Sequence, residues 1–153
     1  LVCMIQFFRY TFYYPLSGLG GGPQQQAQPR QIEHRGDLRT VLQRYIQEQQ
    51  RFLNALGANL HDNANVNRQR ASLLDNLTNE FRDVNTTRVT VLGRLDPHDR
   101  VRTETALTRI NQINGDLEAA LNTFATTPFA GRAAQFTTIN HLFQHKRQEV
   151  NRV

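Results

Sequence analysis

The chain changes its hydrophobic period once. Residues 1–14, LVCMIQFFRYTFYY, form an apolar and aromatic run broken only by Gln6, Arg9 and Thr11. Residues 15–36 open with PLSGLGGGPQQQAQPRQ, where glycine freedom, proline and polar glutamine leave too little apolar surface to hold one structure. From Asp37 onward the spacing is that of a helix. Leu38, Leu42, Tyr45, Gln49, Phe52, Leu56 and Leu60 follow one another at steps of four and three, with Asp37 placed to cap the start. The stretch 59–67 (NLHDNANVN) favours local bonds between side chains and backbone, so the first turn is expected there.

A second stripe runs through Val66, Leu73, Leu77, Phe81, Val84, Val91 and Leu95, with Arg70 and Arg88 interrupting the same face and a kink expected at Asn85-Thr86-Thr87. Gly93 fits a helix stop. Asp96, Pro97 and Asp99 then supply a cap oxygen, a proline for the first helical position and a negative charge beside the free amides. The third stripe is Val101, Leu107, Ile110, Ile113, Leu117, Leu121 and Phe124, ending before Thr127-Pro128. The fourth starts near Gly131 and presents Phe136, Ile139, Leu142, Phe143, Val150 and Val153. Each stripe can be buried only against the others. The expected fold is therefore all-α: an antiparallel, up-down four-helix bundle with coiled-coil-like spacing, whose second and third helices make a long central hairpin. The expected domain plan is an aromatic docking or anchor segment over 1–14, a Gly/Pro/Gln linker over 15–36 and the bundle over 37–153.

Composition sharpens this picture at two points. The net charge is +5, and of the 18 basic residues only Lys146 is a lysine. The positive surface is thus almost entirely guanidinium, which suits phosphate and carboxylate, although a biased genome composition produces the same excess. The one cysteine, Cys3, excludes an intrachain disulfide and a cysteine-cluster metal site.

Candidate chemistry is sparse. His141, His145 and Glu149 share a helical face, yet no second ligand pair has matching spacing, and a solvated face is expected. Asp96, His98 and Asp99 are accounted for by the helix start. The only serines are Ser17 and Ser72, and neither stands in a nucleophile elbow. Gly18 to Gly22 precede proline and glutamine instead of a helix start, so they are spacer rather than a phosphate loop. Asn76-Leu77-Thr78 and Asn85-Thr86-Thr87 match the glycosylation pattern but fall inside an expected helix. No catalytic, cofactor-binding or metal residue is assigned, no small-molecule substrate is expected, and the chain is read as not an enzyme.

Two groups are assigned to binding instead. Phe7, Phe8, Tyr10, Phe12, Tyr13 and Tyr14 are the partner-docking residues, because so many exposed aromatics are rarely left in water. The favoured mode is an extended segment on a partner's sheet or in its groove. The others are the end of a membrane span, with Arg9 and the tyrosines at the interface, and an arm on the protein's own bundle. Arg88, Arg94, Arg100 and Arg102 surround the second turn and are the candidate anion or phosphate contacts, while Lys146, Arg147 and Arg152 crowd the C-terminus.

The stretch from Asp37 to Leu77, together with RINQINGDL (Arg109 to Leu117), resembles bacterial flagellar export chaperones, small helical proteins with an asparagine-glycine pair late in a long helix. That resemblance implies a helical bundle binding an amphipathic client helix. The leading expectation is a non-catalytic structural or accessory subunit of a larger assembly, within a large complex or associated with a membrane. Its partners are protein subunits, with membrane contact through 1–14. The alternatives are the client-binding chaperone or adaptor, and an arginine-mediated binder of nucleic acid or anionic membrane.

Overall fold

A computed structural model describes residues 35–153, which fold into four helices with no strand among the described residues. They are α1 (Arg35–Ala58), α2 (Asn63–Gly93), α3 (Pro97–Phe124) and α4 (Phe129–Val150). Each helix packs on its neighbours in a ring, most extensively α1 on α2 and α3 on α4, then α2 on α3 and α1 on α4. That is the up-down bundle the four stripes require. The aromatic segment 1–14 and most of the linker lie outside the described residues.

The boundaries follow local chemistry. Asp62 caps α2, its carboxylate accepting from the Ala64 and Asn65 amides at 3.0 and 3.3 Å, so the first turn closes earlier than the asparagine-rich stretch suggests. Asp96 caps α3 by accepting from the Asp99 amide at 2.9 Å, and Pro97 occupies the first helical position. The bonds from Asp99 hold the Asp96 carboxyl below its ordinary range. Through Asn85-Thr86-Thr87 the helix is unbroken. The hydroxyls of Thr86 and Thr87 bond back to carbonyls one turn earlier, so both are satisfied within the helix.

The core runs the length of the bundle: Leu38, Leu42, Leu53 and Leu56 of α1, Leu73, Leu77 and Val91 of α2, Leu107, Leu117, Leu121 and Phe124 of α3, and Ile139, Phe143 and Val150 of α4. Val101 departs from its stripe and is 65% exposed, as is Val89 at 81%. At 1.5 Å per residue α2 spans roughly 46 Å and α4 roughly 33 Å. The shorter helix leaves the first turns of α3 projecting past its end. No helix of the described residues is long and apolar enough to cross a membrane.

Candidate functional site

Each helix brings at least one strongly polar residue into the interior at mid-bundle. In α1 it is Gln49, in α2 Glu80 between Leu77 and Val84, in α3 Asn114 between Ile110 and Leu117, and in α4 Lys146 between Phe143 and Val150. The four meet in one layer at mid-bundle. Lys146 Nζ donates to Glu80 Oε1 at 2.6 Å and to Gln49 Oε1 at 2.7 Å. Gln49 Nε2 donates to the same Glu80 Oε1 and to Asn76 Oδ1, both at 2.9 Å. On the far side of the carboxylate, Asn114 Nδ2 donates to Glu80 Oε2 at 2.6 Å, and Asn76 Nδ2 reaches out to Glu48 Oε2 at 2.7 Å.

Lys146 is the only lysine in the chain and has no exposed surface. Burial pushes its pKa below the ordinary 10.5, with the charge and hydrogen bond of Glu80 acting in the opposite direction. The expectation of a cationic C-terminal crowd containing Lys146 is therefore corrected. Lys146 faces the core because 139, 143, 146, 150 and 153 continue one buried stripe, whereas Arg147 and Arg152 lie exposed. The sequence signal was the gap in that stripe, filled by an amphipathic side chain whose stem packs like an apolar one. A second cross-helix bond lies next to this layer, where the Tyr45 hydroxyl donates to Asp83 Oδ2. Burial and that carboxylate push the Tyr45 pKa well up.

The arginines assigned to anion contact do different things. Arg100 is occupied at the end of α2, where Nε and Nη2 donate to the Leu92 and Leu95 carbonyls at 2.9 and 3.0 Å, adding to the backbone bonds of the helix end. Arg88 pairs with Glu104 at 3.7 Å. Arg94 is exposed beside the turn. Arg102 instead lines a groove of about 380 Å³ where α4 ends against α3, together with Thr105, Arg109, Glu149 and Arg152. Within it Glu149 Oε1 takes Arg109 at 3.5 Å and Arg152 at 3.1 Å. Glu149 is thereby drawn into arginine pairs while His141 and His145 are exposed, and no three His, Cys, Asp or Glu side chains among the described residues converge as metal ligands.

At the opposite end Arg132 of α4 crosses to the α1–α2 turn. Its guanidinium donates to the Leu60 carbonyl at 2.7 Å and to Asn63 Oδ1 at 2.6 Å, and stacks 4.3 Å from the centre of the Phe129 ring. His61 meets the same ring edge-on. This tie between the two hairpins was not anticipated, because its partners lie about seventy positions apart in sequence. The docking aromatics Phe7, Phe8, Tyr10, Phe12, Tyr13 and Tyr14 fall outside the described residues. Comparison with protein-family models, with curated proteins and with solved structures found no match.

Proposed function

We propose that this protein is a non-catalytic structural or accessory subunit of a larger assembly, docking through its aromatic N-terminal segment and one end of its bundle. The observation that carries this reading is that two of the three large exposed apolar side chains among the described residues lie at one end of the bundle, the third, Phe129, standing beside the Arg132 guanidinium at the other. Val89 and Val101 stand open on the two arms of the α2–α3 hairpin, near Arg94 and Arg102. Because α1 is antiparallel to α2, the start of α1, which follows the linker in sequence, belongs to that same end. One end of the bundle thus gathers the hairpin tip and the start of α1, with the interior filled and internally bonded behind them.

Size measurement in extracts of the native cells tests it, following the full chain, a chain lacking residues 1–22 and the pair Val89→Asp with Val101→Asp. The full chain is expected in a large complex, and both changes are expected to release a folded bundle. A full chain running alone at its own mass sinks the proposal.

A second reading, binding of nucleic acid or an anionic surface by arginine, draws support from the groove that Arg102, Arg109 and Arg152 flank. It predicts weak binding that falls steeply with salt. Loss of that binding on replacing Arg102 and Arg109 together would favour it, and no binding by the unchanged protein would remove it.

A further inference from the structure

Three features of the polar layer bear on its chemistry. An amine is held against an amide carbonyl, Lys146 Nζ lying 2.7 Å from Gln49 Oε1. One carboxylate oxygen, Glu80 Oε1, touches both the nitrogen of that amine at 2.6 Å and the amide nitrogen of Gln49 at 2.9 Å. The layer is also dry, with Lys146, Glu80 and Gln49 each no more than 1% exposed, and Gln49 walled by Leu53, Leu77, Leu117, Ile139 and Phe143. Asn114 fixes the other oxygen of Glu80, so the carboxylate cannot swing away.

From this geometry we propose that Lys146 and Gln49 condense inside the folded bundle, Glu80 carrying the protons, to form an ε-(γ-glutamyl)lysine bond joining α4 to α1.

Amide exchange of this kind is slow in water for three reasons: the amine is protonated, the departing nitrogen is a poor leaving group, and the partners must first be brought together. Here Nζ is already hydrogen-bonded to the oxygen of the carbonyl group it would attack, which replaces an encounter with an intramolecular step. Burial disfavours the ammonium, and Glu80 Oε1, 2.6 Å from Nζ, is placed to take a proton from it. Positioned between the two nitrogens, Glu80 serves as base to one and acid to the other. Nζ bonds to Gln49 Cδ and the Cδ–Nε2 bond breaks. Nζ gives up two protons through Glu80, both go to Nε2, and Nε2 leaves as ammonium while Glu80 ends as the carboxylate it began as. No oxidant or cofactor enters. The step happens once per molecule and closes the first helix onto the last, so it is compatible with a scaffold role and independent of the docking proposal.

The single lysine makes the test sharp. The purified full chain, incubated folded at neutral pH, is denatured, weighed intact and digested with a lysine-specific protease. The expected chain is lighter by one ammonia, resists cleavage after Lys146, and yields on further digestion a branched peptide joining Gln49 to Lys146. Gln49→Met, Glu80→Gln and the control Lys146→Arg are each expected to keep full mass. Loss of ammonia in Glu80→Gln overturns the proton-carrying role, and a branch at Asn76 or Asn114 overturns Gln49 as the acyl donor. If a variant fails to fold, the unchanged chain still decides the bond itself. Full mass with clean cleavage after Lys146, persisting through prolonged incubation of the folded protein, overturns the proposal.

Discussion

Glu80 accepts from three other helices at once: Gln49 of α1, Asn114 of α3 and Lys146 of α4. A buried cation without its counter-charge is far more costly than an apolar replacement for the pair. Glu80→Ala should therefore lower stability by about 3–5 kcal/mol in urea unfolding, and adding Lys146→Met to it should recover part of that loss. No recovery would mean that Lys146 is not held as a buried charge.

Tyr45 makes a pH-dependent contribution with a definite sign. Its folded pKa lies above the ordinary 10.0, so the native state keeps a proton that the unfolded chain releases above that pH. The contribution is complete at neutral pH and is lost as pH rises past 10.0 toward the folded value. Tyr45→Phe should cost about 1 kcal/mol at neutral pH, where Asp83 loses a donor. Its alkaline loss of stability should be shallower than that of the unchanged protein, as read from urea midpoints on both sides of pH 10.0.

Among the elements, the stripes mark which faces turn inward, and packing decides how far each residue goes. Leu77 is buried within α2, whereas Phe81, one turn on in the same stripe, is only half-buried. Leu77→Ala should cost about 2–5 kcal/mol through lost burial and a cavity. Phe81→Ala should cost measurably less by the same unfolding assay, and equal losses would contradict the difference in burial. Gly57 shows a second kind of constraint. A methyl group there would lie 2.5 Å from the tip of the Phe136 ring, so the glycine permits a close approach of α1 to α4. Overpacking costs about 1–3 kcal/mol and outweighs the gain in helix propensity of up to about 1 kcal/mol, so Gly57→Ala should destabilise. Phe136→Leu should be less harmful in the Gly57→Ala background than alone, and strict additivity in that double-mutant cycle would refute the contact.

For the whole molecule, two cross-helix ties set how the hairpins meet. The central layer joins all four helices, and Arg132 joins the α1–α2 turn to the start of α4. Buried polar contacts of this sort penalise any helix register that leaves them unmatched, because each unpaired group then keeps its full desolvation cost. Arg132→Ala should lower stability by about 1.5–3 kcal/mol, and Arg132→Lys should not restore it, since one ammonium cannot reproduce the forked contact and the stack on Phe129. Residues 35–153 should unfold in one transition, with circular dichroism and tyrosine fluorescence reporting the same midpoint. Separate midpoints would mean that the hairpins are independent.

The helices, their order and their antiparallel course were legible in the chain, because a repeat of four and three fixes one face per helix and short connections permit little else. The Asp62 and Asp96 caps are equally local, each joining a carboxylate to amides two or three residues away. Gln49, Glu80, Asn114 and Lys146 are visible in sequence only as polar residues at or beside stripe positions, with nothing to set Glu80 apart from Arg70 and Arg88 on α2. Whether such residues face water or one another depends on the axial offset between helices, which no local pattern encodes. Tertiary packing brought the four to one level and sealed that layer with leucine, isoleucine and phenylalanine. It thereby turned the one lysine from an expected surface charge into the centre of the core, since only the assembled bundle can supply the carboxylate and amide that make burying an amine tolerable.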